Sequence, residues 1–302
     1  MATERELNKR IRSIRNISQV TSALAAVSAA KATKAQQQVM ATRAYAGKAY
    51  EILVNLSGQP GVSSDGSNPL LTVRSEIKNA GLILITGDRG LAGAYNANIV
   101  ARTEQFIQAL DTPVQIIAVG RKGRDLMIRR GHNVVASFES VADAPSIMEV
   151  APIARIAIED YLSGKVDDVF IAYTDFINLV NRVPRVKQLL PLMPLKTEGM
   201  AVSEYVEDVD VSGAAERVYS YEPGPGALLE TIVPRFTELQ VYQSVLESKA
   251  SEHSARMVAM NNATDNAAEL VDILILERNK ARQSSITSEI LDIVGGAEAL
   301  AK

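Results

Sequence analysis

Cysteine and tryptophan are absent from the 302 residues, and histidine occurs twice, at His132 and His253. Without thiols the chain has no disulfide, no thiolate nucleophile and no cysteine zinc site. Two histidines are too few for a histidine metal cage, and both are read as surface or capping residues. No run reaches the roughly 18 apolar residues of a membrane-spanning helix. The longest candidate, Leu270 to Leu276, is interrupted by Asp272. Glu4 and Glu6 stand among the first arginines with no apolar block after them, which argues against a secretory signal and for a cytoplasmic location. A hydrophobic fraction of 47% nevertheless supplies a sizeable core and excludes a mainly disordered chain.

Two other scarcities are local. Between Thr3 and Leu56 there is no proline and one glycine, Gly47, while alanine and long unbranched side chains dominate. That composition predicts one helix of about 80 Å. Leu7, Ile11, Ile14, Ile17, Val20, Leu24 and Val27 recur at steps of three and four, the stripe expected to face a partner helix. The glycines, prolines and serines of Gly58 to Pro69 predict a loop. A second such cluster, Pro223 to Gly226, opens the C-terminal segment, and after Pro234 neither residue occurs again until Gly295. This predicts a second helix of about 90 Å. Helices this long bury their stripes only against each other or a partner. The chain leaves the first through a middle domain and returns in the second, so an antiparallel coiled coil is expected. Ala25, Ala26, Ala29, Ala30, Ala263, Ala267 and Ala268 would keep its seam narrow. Residues 1–48 hold nine basic against two acidic side chains, a local charge of +7, whereas residues 250–302 hold five against eight. The two ends can therefore attract each other.

Between the helices, Gly81 to Thr86, Val114 to Val119 and Val169 to Tyr173 are short apolar runs bounded by turn residues, which predicts buried strands. Helical patterns at Asn98 to Leu110, Arg121 to Arg130 and Ile147 to Ser163 alternate with them. The expected class is α/β with a mainly parallel, Rossmann-like sheet. Val183 to Leu190 and Arg217 to Tyr221 are expected to add edge strands. The implied domains are an N-terminal helix 1–57, a linker 58–76, a central domain 77–222 and a C-terminal helix 223–302.

The segment Thr86 to Ile99 places glycines between a strand and a helix, where dinucleotides bind. Gly87, Gly90 and Gly93 are spaced GxxGxxG, however, against the GxGxxG that such a site needs, and no GxxxxGK[ST] loop occurs. A tight packing turn is the favoured reading. Asp167 and Asp168, adjacent carboxylates beside a strand start, are expected to face solvent. No GxSxG elbow offers a nucleophile.

Four segments, Arg10 to Leu24, Asp88 to Ile99, Ala250 to Ala267 and Asn279 to Leu300, together resemble the gamma subunit of F-type ATP synthases, bacterial type. The resemblance spans the chain, since two terminal helices around an α/β domain is that family's architecture. It implies a non-catalytic rotor shaft with no cofactor, on the cytoplasmic face of the cell membrane, coupling ring rotation to ATP synthesis or hydrolysis. The implied partners are the alpha and beta subunits of a threefold head, the epsilon subunit and the membrane c-ring. Neither nucleic acid nor membrane insertion nor homo-oligomerisation is implied. Position by position, Leu24, Glu252, Arg256, Arg282, Gln283, Thr287 and Glu289 would meet the catalytic head. Leu24 stands where the family usually has methionine. Tyr219 and Glu222 would face the rotor ring, and Ile290 to Leu300 would sit in an apolar sleeve of the head. Two other readings stay open on the residues alone: a coiled-coil scaffold with an inserted α/β domain, and a dinucleotide enzyme.

Overall fold

Long proline-free stretches become long helices in the computed structural model, which describes residues 3–57, 68–193, 222 and 224–300. Helix α1 spans Glu4–Ser57, and a 3-10 turn follows at Pro69–Leu71. Strand β1 (Ala80–Ile85), helix α2 (Tyr95–Leu110), strand β2 (Val114–Val119), helix α3 (Arg121–Arg129) and strand β3 (Asn133–Phe138) come next. Helix α4 (Ile147–Leu162), strands β4 (Asp168–Phe176) and β5 (Arg182–Leu190) and helix α5 (Pro225–Leu300) complete the order. The chain divides into two units, residues 29–256 and residues 1–28 with 257–302.

In the larger unit the five strands run in the order β3-β2-β1-β4-β5. The first four are parallel, and β5 pairs antiparallel with β4 as an edge strand. Both faces are covered, which is why β1 reads as an unbroken apolar run and is buried at all six positions. On one face Ile83, Ile117, Ile171 and Tyr173 pack against Ile153 of α4, Tyr50 and Leu53 of α1 and Val233 and Phe236 of α5. On the other, Leu82, Leu84 and Ile116 meet Ile99 and Val100 of α2 and Met127 of α3. Two features differ from the sequence expectation. Strand β3 was not predicted, because its half-exposed edge pattern lacks an apolar run. Helix α5 begins at Pro225 and continues through Pro234, so burial of Leu229, Val233 and Phe236 outweighs the roughly 3 kcal/mol that an interior proline costs. The proposed edge strand Arg217 to Tyr221 lies outside the described residues.

In the smaller unit the beginning of α1 packs on the end of α5. Leu7 and Ile11 meet Val271 and Leu274, with Ile14, Ile275 and Ala281 alongside. Along α1 the buried or half-buried residues Leu7, Ile11, Ile14, Ser18, Thr21, Ala25 and Ser28 alternate steps of four and three, with half-buried Leu24 beside them. Along α5, Met260, Thr264, Ala267, Val271, Leu274, Arg278 and Ala281 follow the same alternation, with half-buried Ala263, Ile275 and Asn279 beside them. This is the 3.5-residue repeat of a two-helix seam. The expected stripe is thereby corrected: Ile17, Val20 and Val27 are 53%, 59% and 53% exposed. Two successive steps of three fall about 120° short of two helical turns, which carries Ile17 and Val20 off the seam. Polar residues take their place, and the hydroxyls of Thr21 and Thr264 bond across it at 2.7 Å.

Candidate interaction surface

The carboxyl end of β1 is where an α/β sheet of this kind offers a crevice to a nucleotide. Here the Gly87 to Ala94 loop is tied down instead. The Asp88 carboxylate accepts the Arg121 amide at 3.0 Å and the Ser140 amide at 3.1 Å. Asn96 Oδ1 accepts the Gly87 amide at 2.9 Å. At Gly120, φ is +98° and a Cβ would stand 2.2 Å from the Thr86 carbonyl oxygen, so this close strand crossing requires glycine. A Cβ on Gly87 would stand 2.8 Å from Glu252 Oε1, because α5 lays that carboxylate over the loop. Tyr95 donates its hydroxyl to the Ser248 carbonyl at 3.1 Å, and burial, reinforced by the Glu252 charge, pushes its pKa up. The space left among Thr86, Asp88, Gly120, Ser248 and Glu252 is about 10 Å³, room for one water at most. A dinucleotide does not fit there, and the glycines serve a packing turn.

Glu252 and Arg256, both expected on the partner-facing surface, lie in this same region, one turn apart on α5. Glu252 is 5% exposed and pairs with Arg256 Nη2 at 2.5 Å, while the guanidinium also reaches the Gly90 carbonyl at 3.5 Å. Arg256 Nη1 lies 3.3 Å from His253 Nδ1, and His253 Nε2 lies 2.9 Å from Asp143 Oδ1. His253 is therefore not a surface residue: it is 3% exposed. Burial holds its pKa below the usual imidazole range against the pull of Asp143 and Glu252. A neutral ring with its proton on Nε2 serves both neighbours, donating to Asp143 and accepting from Arg256. Burial would raise the Asp143 carboxyl, but the hydrogen bond from Lys31, at 2.7 Å, and the nearby positive charge hold it low. Nothing in the sequence pointed to Asp143, which lies 110 residues from its histidine partner.

The other expected contacts divide by location. Arg282, Gln283, Thr287 and Glu289 lie on the part of α5 past Ala281, where every side chain through residue 297 is exposed. Thr287 donates to the Gln283 carbonyl at 2.9 Å, an intrahelical bond that leaves the surface available. Ile290, Leu291, Ile293 and Val294 beside them are 55%, 65%, 70% and 56% exposed. Leu24 is half-buried at the edge of the seam. Glu222 is exposed, and Tyr219 lies outside the described residues.

The adjacent aspartates are also not both solvated. Asp167 pairs with Arg74 at 2.8 Å, and Asp168 is 9% exposed at the start of β4. Burial first, then the Asp167 charge, push the Asp168 carboxyl up to about 6. Among the described residues no group of His, Asp and Glu is arranged to hold a metal ion, and no helix is long and apolar enough to cross a membrane.

The family described as ATP synthase matches residues 3–300. The chain is 42% identical to the ATP synthase gamma chain of Moorella thermoacetica over 300 residues, covering 99% of this chain and 100% of that one. It is likewise 42% identical to the gamma chain of Roseiflexus castenholzii over 307 residues, covering all of both. In fold it is similar to a chain of the Euglena gracilis mitochondrial ATP synthase in an assembly of OSCP, F1 and c-ring. There the TM-score is 0.65 at 20% identity, over 98% of this chain and 94% of that one. It is also similar to a chain of the Tetrahymena thermophila mitochondrial central stalk and c-ring, with TM-score 0.60 at 22% identity, over 81% of this chain and 99% of that one.

Proposed function

Because this chain belongs to the ATP synthase gamma family, we propose that it is the central rotor shaft of an F-type ATP synthase, coupling ring rotation to nucleotide chemistry carried out by its partners. Those partners are the alpha and beta subunits of the head, the epsilon subunit and the c-ring of the membrane sector. The chain itself is non-catalytic and sits peripherally on the cytoplasmic face of the cell membrane. The observation that supports this best is the last part of α5, where residues 282–297 carry five large apolar side chains, Ile286, Ile290, Leu291, Ile293 and Val294, beside polar ones and bury none of them. A soluble helix this apolar needs a sleeve to cover it. The filled crevice at the end of β1 supports the non-catalytic role, since a bound nucleotide has no room there.

A single chain has no threefold symmetry, so inside a ring of three catalytic sites it presents a different face to each. Differential contact is what shifts a conformational equilibrium, and rotation moves that difference from site to site. Arg282, Gln283, Thr287 and Glu289 would supply exposed polar contacts worth roughly 0–1 kcal/mol each. Leu24 and Arg256 would also meet the head, with Glu252, buried under the loop after β1, holding Arg256 in place instead of touching the partner, and Glu222 and Tyr219 would meet the ring. Contacts this weak steer the head without trapping the rotor.

The test is purification of the tagged chain from its own cells in mild detergent, with native mass and ATPase activity read on the eluate. Recovery with a threefold set of nucleotide-binding subunits and ATPase activity is expected. A lone chain or homo-oligomer without such partners would sink the proposal and promote a scaffold.

A further inference from the structure

Arg256 is held at both corners of its guanidinium. Glu252 accepts from Nη2 at 2.5 Å, and the Gly90 carbonyl lies 3.5 Å from the same nitrogen, so both engage one corner. The other corner, Nη1, meets His253 Nδ1 at 3.3 Å. A planar fork tied at one nitrogen can still swing about that contact, whereas a second tie at the opposite nitrogen fixes its direction. That direction matters because 13% of the Arg256 side chain stays open, so where the guanidinium points decides what a partner can reach.

A guanidinium carries donors alone, so His253 can hold it only through an unprotonated Nδ1. The surroundings select that form. Asp143 lies 2.9 Å from Nε2, where a carboxylate calls for the ring proton, and the Lys31 ammonium of α1 keeps Asp143 charged from 2.7 Å. The loop between β3 and α4 that presents Asp143 is anchored on either side of it. The Ser140 amide donates to Asp88 at 3.1 Å, and the Tyr242 hydroxyl of α5 donates to the Pro145 carbonyl at 3.2 Å. A chain of contacts thus runs from Lys31 through Asp143 and His253 to Arg256. The other charged groups acting on it, Lys249 and Glu252, both come from α5, and Asp88 is taken up by the Arg121 and Ser140 amides. Burial, with the Arg256 charge, keeps the ring neutral against the pull of Asp143 and Glu252.

We infer that His253 is a positioning residue for Arg256: its neutral ring, with the proton on Nε2, fixes the direction of the guanidinium, and protonation of Nδ1 releases it. A protonated Nδ1 would aim a donor at another donor and set two positive charges 3.3 Å apart, while Glu252 kept its bond to Nη2. The fork would then swing on that one corner. The use of Arg256 against the head rests on the shaft reading; the hold on the guanidinium does not.

With two histidines in the chain, the ring can be read directly. Long-range proton–nitrogen spectra of the full chain labelled on histidine, with His132→Gln to assign the signals, should show His253 at pH 8 as the Nε2–H tautomer. It should titrate below the ordinary imidazole value of about 6.5. The unfolded chain takes up this proton first, so the hold contributes fully above about pH 6.5 and is lost as pH falls through the lower native value. An Nδ1–H tautomer, or a ring charged at pH 8, overturns the proposal. Binding of the full chain to the isolated head tests the consequence. At pH 8, Arg256→Ala should weaken binding about two- to fivefold. His253→Ala should weaken it as much, and the double variant no further. His253→Gln, whose amide can donate to Asp143 and whose carbonyl can accept from Arg256, should restore binding and, unlike the wild type, should keep it as pH is lowered. Additive losses in the double variant, or a glutamine variant as weak as the alanine one, would show that His253 acts through packing and would overturn its positioning role. Unchanged binding in Arg256→Ala overturns the use of Arg256 against the head. A wild-type chain that does not bind the head overturns the shaft reading, while the tautomer and its titration still decide the hold.

Discussion

Ile11 and Ile17 lie six residues apart on the same helix and separate folding from assembly. Ile11 is 5% exposed in the α1–α5 seam, and Ile17 is 53% exposed beside it. Truncating a buried isoleucine to alanine costs about 2–5 kcal/mol through lost transfer energy and the cavity left behind. A two-helix seam collapses more readily than a deep core, which places Ile11→Ala near the lower end, about 2–3 kcal/mol. For a small cooperative unit that lowers the thermal midpoint by about 10 °C or more. Ile17→Ala removes no seam contact, and alanine is the better helix former, so its midpoint should stay within about 0.5 kcal/mol of wild type or rise slightly. Covering the exposed half of Ile17 in a partner's groove would contribute about 1 kcal/mol, half of a full isoleucine burial. That corresponds to roughly fivefold weaker association of the alanine variant with the head. Circular dichroism melts of the free chain and binding titrations with the isolated head measure the two quantities separately. Equal losses of midpoint in both variants would refute the assigned seam.

Other expectations concern the sheet, its edge carboxylate and the end of α5. Gly120→Ala forces a side chain into positive φ and against the Thr86 backbone, and should cost more than about 2 kcal/mol in urea unfolding; a neutral result would show that the crossing relaxes freely. Asp168, raised to about 6 by burial and by Asp167, binds its proton more tightly in the native than in the unfolded state. Its contribution to stability should therefore fall as pH rises from about 4 to about 6, and Asp168→Asn should remove that fall; an unchanged pH profile in urea melts would count against the buried carboxyl. Ile290→Asp with Ile293→Asp changes side chains that are 55% and 70% exposed, so the melting of the free chain should hold while recovery of the head subunits in a pull-down drops. Undiminished recovery would remove the apolar sleeve from the proposal.

Much of this was legible in the sequence, because the governing effects are local. Long alanine-rich stretches without proline dictate helices through propensity alone, and apolar runs between turn residues dictate buried strands. The glycine spacing after β1 excluded a dinucleotide fingerprint, and the structure gives the reason: Glu252 occupies the space over Gly87. Tertiary contact decided the rest. Ser18 and Thr21 displaced Ile17 and Val20 from the seam because helix phase accumulates over the whole pair of helices, which a local count of apolar residues does not track. His253 and Asp143 meet across 110 residues, so the pair leaves no spacing to read. Sequence by itself determined which segments are helix, strand and turn, and which family the chain resembles. Only the packed structure decided which side chains face inward and which carboxyl groups are drawn out of solvent, because burial and charge pairing depend on neighbours that the chain brings together from far apart.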